Sequence, residues 1–138
     1  MAVQIPVARL RALCDPFTNP WDGPAFTVED VRRAIAAGDL EATSFSVTRE
    51  SWDLRRHLAR IAYLVVNGWD DHGVEVDVGV PFLRCYVEWP LTDGNHRLAA
   101  AVVRGDTHIA ASVAGDIKYA FELFGVDICE EGFEPIEH

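Results

Sequence analysis

Lysine is almost missing from these 138 residues: Lys118 is the only one, and arginine carries the rest of the positive charge. Basic residues are outnumbered 12 to 22 by acidic ones, for a net charge of −10. A chain so charged is repelled by phosphate backbones at long range, which disfavours non-specific nucleic-acid binding. Cysteine is scarce as well. Cys14, Cys85 and Cys129 are odd in number, show no Cys-x-x-Cys spacing and form no metal-ligand pattern with histidine. Reduced thiols, dispensable for activity, are therefore expected. No apolar run approaches the roughly 20 residues of a membrane span, and the N-terminus has no secretory core. These absences predict a cytoplasmic protein without membrane contact.

What is present is an ordinary balance, with 49% hydrophobic and 25% charged residues, enough to bury a core without staples. One domain over 1–138 is expected, with an irregular proline-containing arm over 1–26 and an acidic tail over 127–138. Thr27-Val28-Glu29-Asp30 matches a capping box and predicts a helix over 28–37 that stops at Gly38. Leu54, Leu58, Ile61, Ala62 and Val65 recur at helical period, predicting a helix over 52–66. Arg49, Arg56 and Arg60 lie along another face of it, either a solvated stripe or a source of one arginine for a phosphate site. An edge strand is expected over 43–48. Strict alternation from Val74 to Val78 predicts a half-buried strand over 74–79, with Glu75 and Asp77 outward. The apolar run 82–89 predicts a buried strand over 83–89. A further strand over 107–113 and a last helix over 116–124 complete an α/β or α+β reading: a small mixed sheet flanked by helices.

The most informative stretch is Thr92-Asp93-Gly94-Asn95-His96-Arg97, which opens a predicted helix over 95–104. Thr92 and Asp93 suit an N-cap, Gly94 a sharp turn and Gly105 the C-terminal stop. His96 and Arg97 then fall in the first helical turn, the wrong end of the macrodipole for a cation, by roughly 0.3–1 kcal/mol. An anion held by the free N–H groups, His96 and Arg97 would reverse that penalty. A plainer alternative is that Arg97 pairs with Asp93 at i,i+4.

This motif, with Leu98-Ala99-Ala100-Ala101 and Arg104-Gly105-Asp106 after it, resembles the ParB/sulfiredoxin superfamily. That superfamily carries a Gly-x-x-Arg-type turn between strand and helix that holds nucleotide phosphates. The resemblance implies phosphate or nucleotide binding by Thr92, Gly94, Asn95, His96 and Arg97, with ATP or CTP and Mg2+ as cofactors. Sulfiredoxin-like members place a catalytic cysteine just before the His-Arg pair; Asn95 stands there, which argues against sulfinic-acid reduction. The helical DNA-binding domain of the segregation proteins has no room in this length. A nuclease reading, suggested by relatives, runs against the charge. If the chain is an Mg2+-dependent hydrolase, phosphotransferase or switch, Asp93 and His96 are the catalytic candidates, with Asp93, Glu75 and Asp77 toward the metal. The competing expectation is a non-catalytic acidic protein that docks on a basic partner, for instance one whose nucleic-acid site it occludes.

Overall fold

The computed structural model describes residues 2–45 and 51–126. Arg49, the end of the expected 43–48 strand, Cys129 and the acidic tail lie outside them.

Four strands form one mixed sheet in the order β1-β4-β2-β3: β1 (Val3–Pro6), β2 (Val74–Asp77), β3 (Leu91–Asp93) and β4 (His108–Ala114). The outer pairs β1–β4 and β2–β3 are antiparallel, and β2 runs parallel to β4 in the middle. Five α-helices accompany them: α1 (Val7–Leu13), α2 (Val28–Ala36), α3 (Leu54–Asn67), α4 (Asn95–Arg104) and α5 (Ile117–Phe124). The mixed α+β class is as expected. Among the described residues no helix is long and apolar enough to cross a membrane.

The helix signals read from the sequence act locally as their chemistry requires. Thr27 and Asp30 make the reciprocal capping box that starts α2. Asp53 caps α3 through Arg56 N, and Asp116 caps α5. Residues 1–26, expected to be an irregular arm, instead supply β1, α1 and a 3-10 turn (Pro16–Thr18). Val3 and Ile5 alternate inward against β4, and Leu10 and Cys14 are fully buried, so the segment forms part of the core.

The run 82–89 is the clear correction: it is not a buried strand. Phe82, Leu83 and Tyr86 are 78%, 60% and 72% exposed, and only a single bridge, Val80 to Cys85, ties the stretch to itself. Pro81 and Pro90 cannot donate to a ladder, and Arg84 sits in the left-handed region at φ 62°, closing a short 3-10 turn over Pro81–Leu83. The sheet is completed by the three residues of β3 instead, with Leu91 the one that reaches the core. Hydrophobic composition alone could not show that this run leaves the sheet.

Helix α4 stands between two cores. Leu98 and Ala101 belong to the core of the sheet, α1 and α5, while Ala99 and Ala100 belong to that of α2, α3 and the Phe17–Phe26 segment. The alanine run lets backbone approach from both sides at little entropic cost. Its start is fixed by Gly94, at φ 106°, where an added Cβ would come within 2.5 Å of Val74 Cγ1. Gly94→Ala is therefore expected to lower stability by at least about 2 kcal/mol, from left-handed strain and from displacing α4 off β2. Urea unfolding measures it; a loss below about 0.5 kcal/mol would mean that α4 is not seated as described.

Candidate functional site

The turn from β3 into α4 lines a cleft of about 860 Å3, together with Pro20, Trp21, Ser44, Phe45, Arg60 and Trp89. Thr92, Asp93, Gly94, Asn95, His96 and Arg97, all singled out by the motif, border it. The expected cap is absent. Gly94 is the N-cap and no side chain accepts from the first turn, so neither Thr92 nor Asp93 covers the helix end. The first N–H groups of α4 are left for another acceptor. Thr92 Oγ1 donates to Glu75 O, and Asn95 Oδ1 accepts from Trp89 Nε1 at 2.9 Å, which leaves both side chains turned to neighbouring strand and loop.

Arg97 does not pair with Asp93. Its Nη1 donates to Gly73 O and lies 3.7 Å from Asp70 Oδ1. Gly73 is itself irreplaceable on steric grounds, since at φ 72° a Cβ would collide with Ala110 O. The polar turn 69–73 thus holds the guanidinium from behind.

The second guanidinium comes from α3. Arg60 is only 9% exposed. Its Nη1 donates to Ala42 O at 2.8 Å and Glu41 O at 3.3 Å, and its Nη2 reaches Ser44 Oγ at 3.4 Å. Among the described residues no carboxylate pairs with it, because the Glu41 carboxylate is held by Arg56 at 3.1 Å. Burial, and after it the charge of Arg97, hold Arg60 below its ordinary value. Of the arginines on α3, this is the one that reaches the cleft.

Behind the turn, α3 and α4 face each other through two imidazoles. His57 Nδ1 and His96 Nε2 are 2.8 Å apart. Trp21 stacks on both rings, with centroids 4.3 and 4.1 Å away. It is delivered by a turn in which buried Asn19, at φ 69°, accepts from Trp21 N and donates to Pro24 O. Burial lowers the His57 pKa to about 4, with Asp53 pulling weakly the other way. Burial, then His57, then Arg60 hold His96 well below the usual imidazole range. Both rings are neutral at pH 7, so His96 is not the first-turn cation that the sequence suggested.

The carboxylates proposed for a metal do not converge. Glu75 pairs with His72 at 3.0 Å, Asp77 accepts from Gly79 N at 2.9 Å, and Asp93 lies opposite Glu75 in the β2–β3 ladder. Among the described residues, no three His, Cys, Asp or Glu side chains gather as a metal site. Asp93 and Glu75 alone stay next to each other, as a cross-strand pair.

Sequence reasoning missed His57, Trp21, Phe45 and Trp89. For His57 a signal existed: it lies three residues after Leu54 and four before Ile61, on the apolar face of α3. Trp21 sits in a proline-glycine turn and carries no such signal.

The depressed imidazoles make stability depend on pH. Unfolded histidine takes up protons near pH 6.5, whereas folded His57 does so only near 4, so the unfolded state binds more protons in between. Stability should be level above pH 7 and fall by about 3 kcal/mol or more between pH 6.5 and 4. His57→Phe should reduce that fall and leave the part that buried His96 contributes. Equal stability of the wild-type protein at pH 7.5 and 4.5 in urea titrations would contradict a neutral buried pair.

Compared with family models, with curated proteins and with solved structures, the chain finds no match, so the chemistry of the cleft is read from its own geometry.

Proposed function

We propose that this chain binds a phosphate-bearing small molecule, a nucleotide being the class that fits, in a cleft of the ParB/sulfiredoxin kind. The observation that carries the reading is Arg60: a buried guanidinium with no carboxylate partner among the described residues, beside a second guanidinium. A buried charge is ordinarily paired or neutralised, because leaving it alone costs several kcal/mol. Arginine does not give up its proton; carbonyls of Glu41 and Ala42 and the Tyr63 ring support it, and an anion entering the cleft would add the countercharge that these neutral groups do not. The uncapped start of α4 aims further donors at the same space. Trp21, Phe45 and Trp89 on the walls offer aromatic surface to a flat base. The strand–turn–helix with Gly94 and Arg97 in Gly-x-x-Arg spacing supports the superfamily reading.

Binding is the function this arrangement supports; turnover is not needed to explain any part of it. ATP and CTP are the first ligands to test, with and without Mg2+. Docking on a basic protein remains a second reading, favoured by the net charge of −10. It would weaken with salt and be indifferent to Arg60.

Isothermal titration of ATP, CTP, AMP and pyrophosphate should find at least one ligand for the wild-type protein. Arg60→Met and Arg97→Ala should each weaken it by about 1.5–3 kcal/mol, the range for charge-assisted hydrogen bonds. Arg84→Ala, in the exposed loop, should leave affinity unchanged. Equal affinity of the Arg60 variant, or no binding by any of these anions, would refute the proposal.

A further inference from the structure

The imidazole pair has a feature that anion binding alone does not explain. His57 is 2% exposed, and its Nε2 is the one buried side-chain nitrogen or oxygen among the described residues without a hydrogen-bond partner. Its other nitrogen faces His96. The rings closing around it are Trp21, stacked on its face, and Phe45 and Trp52, tilted at 50° and 48° with centroids 5.2 and 5.5 Å away.

In the neutral pair one nitrogen of the 2.8 Å contact donates and the other accepts. If His57 donates, its Nε2 is a bare lone pair enclosed by π-electron density. If His96 donates, His57 Nε2 carries a hydrogen, which aromatic faces attract. The second arrangement is the better solvated one. It puts the His96 proton on Nε2 and leaves His96 Nδ1 bare, in a residue that lines the cleft and whose Nδ1 has no hydrogen-bond partner among the described residues.

The charged groups around the pair do not supply that proton. Arg60 and Arg97 stand on the cleft side, and Arg60 opposes a further positive charge on His96. Asp53 caps the helix that carries His57, Asp93 borders the cleft on β3, and Glu41 is engaged by Arg56. Trp21, Phe45 and Trp52 bring no charge.

We propose that His96 presents a bare Nδ1 to the cleft, its tautomer set by His57, and that this atom accepts a hydrogen bond from the P–OH of a singly protonated phosphate group. The inference rests on the anion-binding reading and deepens it: the two guanidiniums take the charged oxygens, and His96 requires that one oxygen carry hydrogen. A fully ionised oxyanion would set a lone pair against a lone pair. The cleft therefore discriminates phosphate from sulfate, which carries no proton near neutral pH. His57 is a positioning residue in this scheme and does not itself touch the ligand.

Long-range 1H–15N NMR spectra of the ligand-free protein at pH 7 test the first half. Neutral His57 and His96, each with its proton on Nε2, are expected; a proton on His96 Nδ1 overturns the proposal whatever the cleft binds. Titration with inorganic phosphate and with sulfate at pH 6.5 tests the second half. Phosphate should bind at least about tenfold more tightly and shift the His96 Nδ1 resonance. Equal affinities overturn the proposal, while failure of both anions to bind overturns the anion reading itself. In His57→Phe, which keeps an aromatic ring of similar shape, His96 should populate both tautomers and lose the preference for phosphate. His57→Gln serves the same purpose if the phenylalanine variant does not fold. Retention of a single His96 tautomer and of the preference in a folded variant would remove His57 from the account.

Discussion

Gly94 lies so close to Val74 that any Cβ there would force the strand or the helix to shift, and this contact decides where α4 begins. The strand-to-helix turn is pressed against the middle of the sheet, and no side chain caps the helix end. From that start follow the positions of His96 and Arg97, the second and third residues of the helix. Because α4 is also the wall shared by both cores, its placement is held from either side by Leu98 and Ala101 and by Ala99 and Ala100. The cleft is thus built on an element packed from both sides, and side chains held by packing are what a binding site needs.

The electrostatics of the cleft run against those of the whole molecule. A net charge of −10 repels anions at a distance, but that field is screened beyond roughly 8 Å at physiological salt. Inside the cleft the near charges are Arg60, Arg97 and Asp93, and the nearest imidazoles are neutral chiefly because of burial, with Arg60 adding to it at His96. The acidic surface limits which polyanions can approach; a small phosphate ester can enter where a nucleic-acid backbone is turned away. Arginine usage, high throughout the chain, matters at these two positions because a lysine could shed its proton when buried and arginine does not.

Much of this was readable from the residues, and the reasons differ by element. The α2, α4 and α5 boundaries follow from caps and glycines, which act within a few residues. The motif from Thr92 to Arg97 could be placed at the start of a helix for the same reason, though not on a cleft. The strand over 83–89 failed because composition says that a run is apolar and not which surface it meets. Phe82 and Tyr86 are exposed while Leu91 takes the place in the core. Arg97 and Asp93 illustrate another limit: i,i+4 spacing allows their pairing, but the carbonyl of Gly73, 24 residues away, competes for the guanidinium and wins. The Trp21–His57–His96 stack joins three distant segments, and only the fold brings them together. The three carboxylates proposed for a metal fail likewise, each claimed by a nearer partner or held on the ladder.

The central claim is that two guanidiniums in this cleft await an anion, and an electron-dense one locates it most directly. Crystals grown without phosphate or sulfate and soaked in arsenate, which like phosphate keeps a proton near neutral pH, should show one dominant anomalous peak within hydrogen-bond reach of Arg60, Arg97 and the first N–H groups of α4. A peak confined to other arginines, with this cleft vacant at saturating arsenate, would contradict the account.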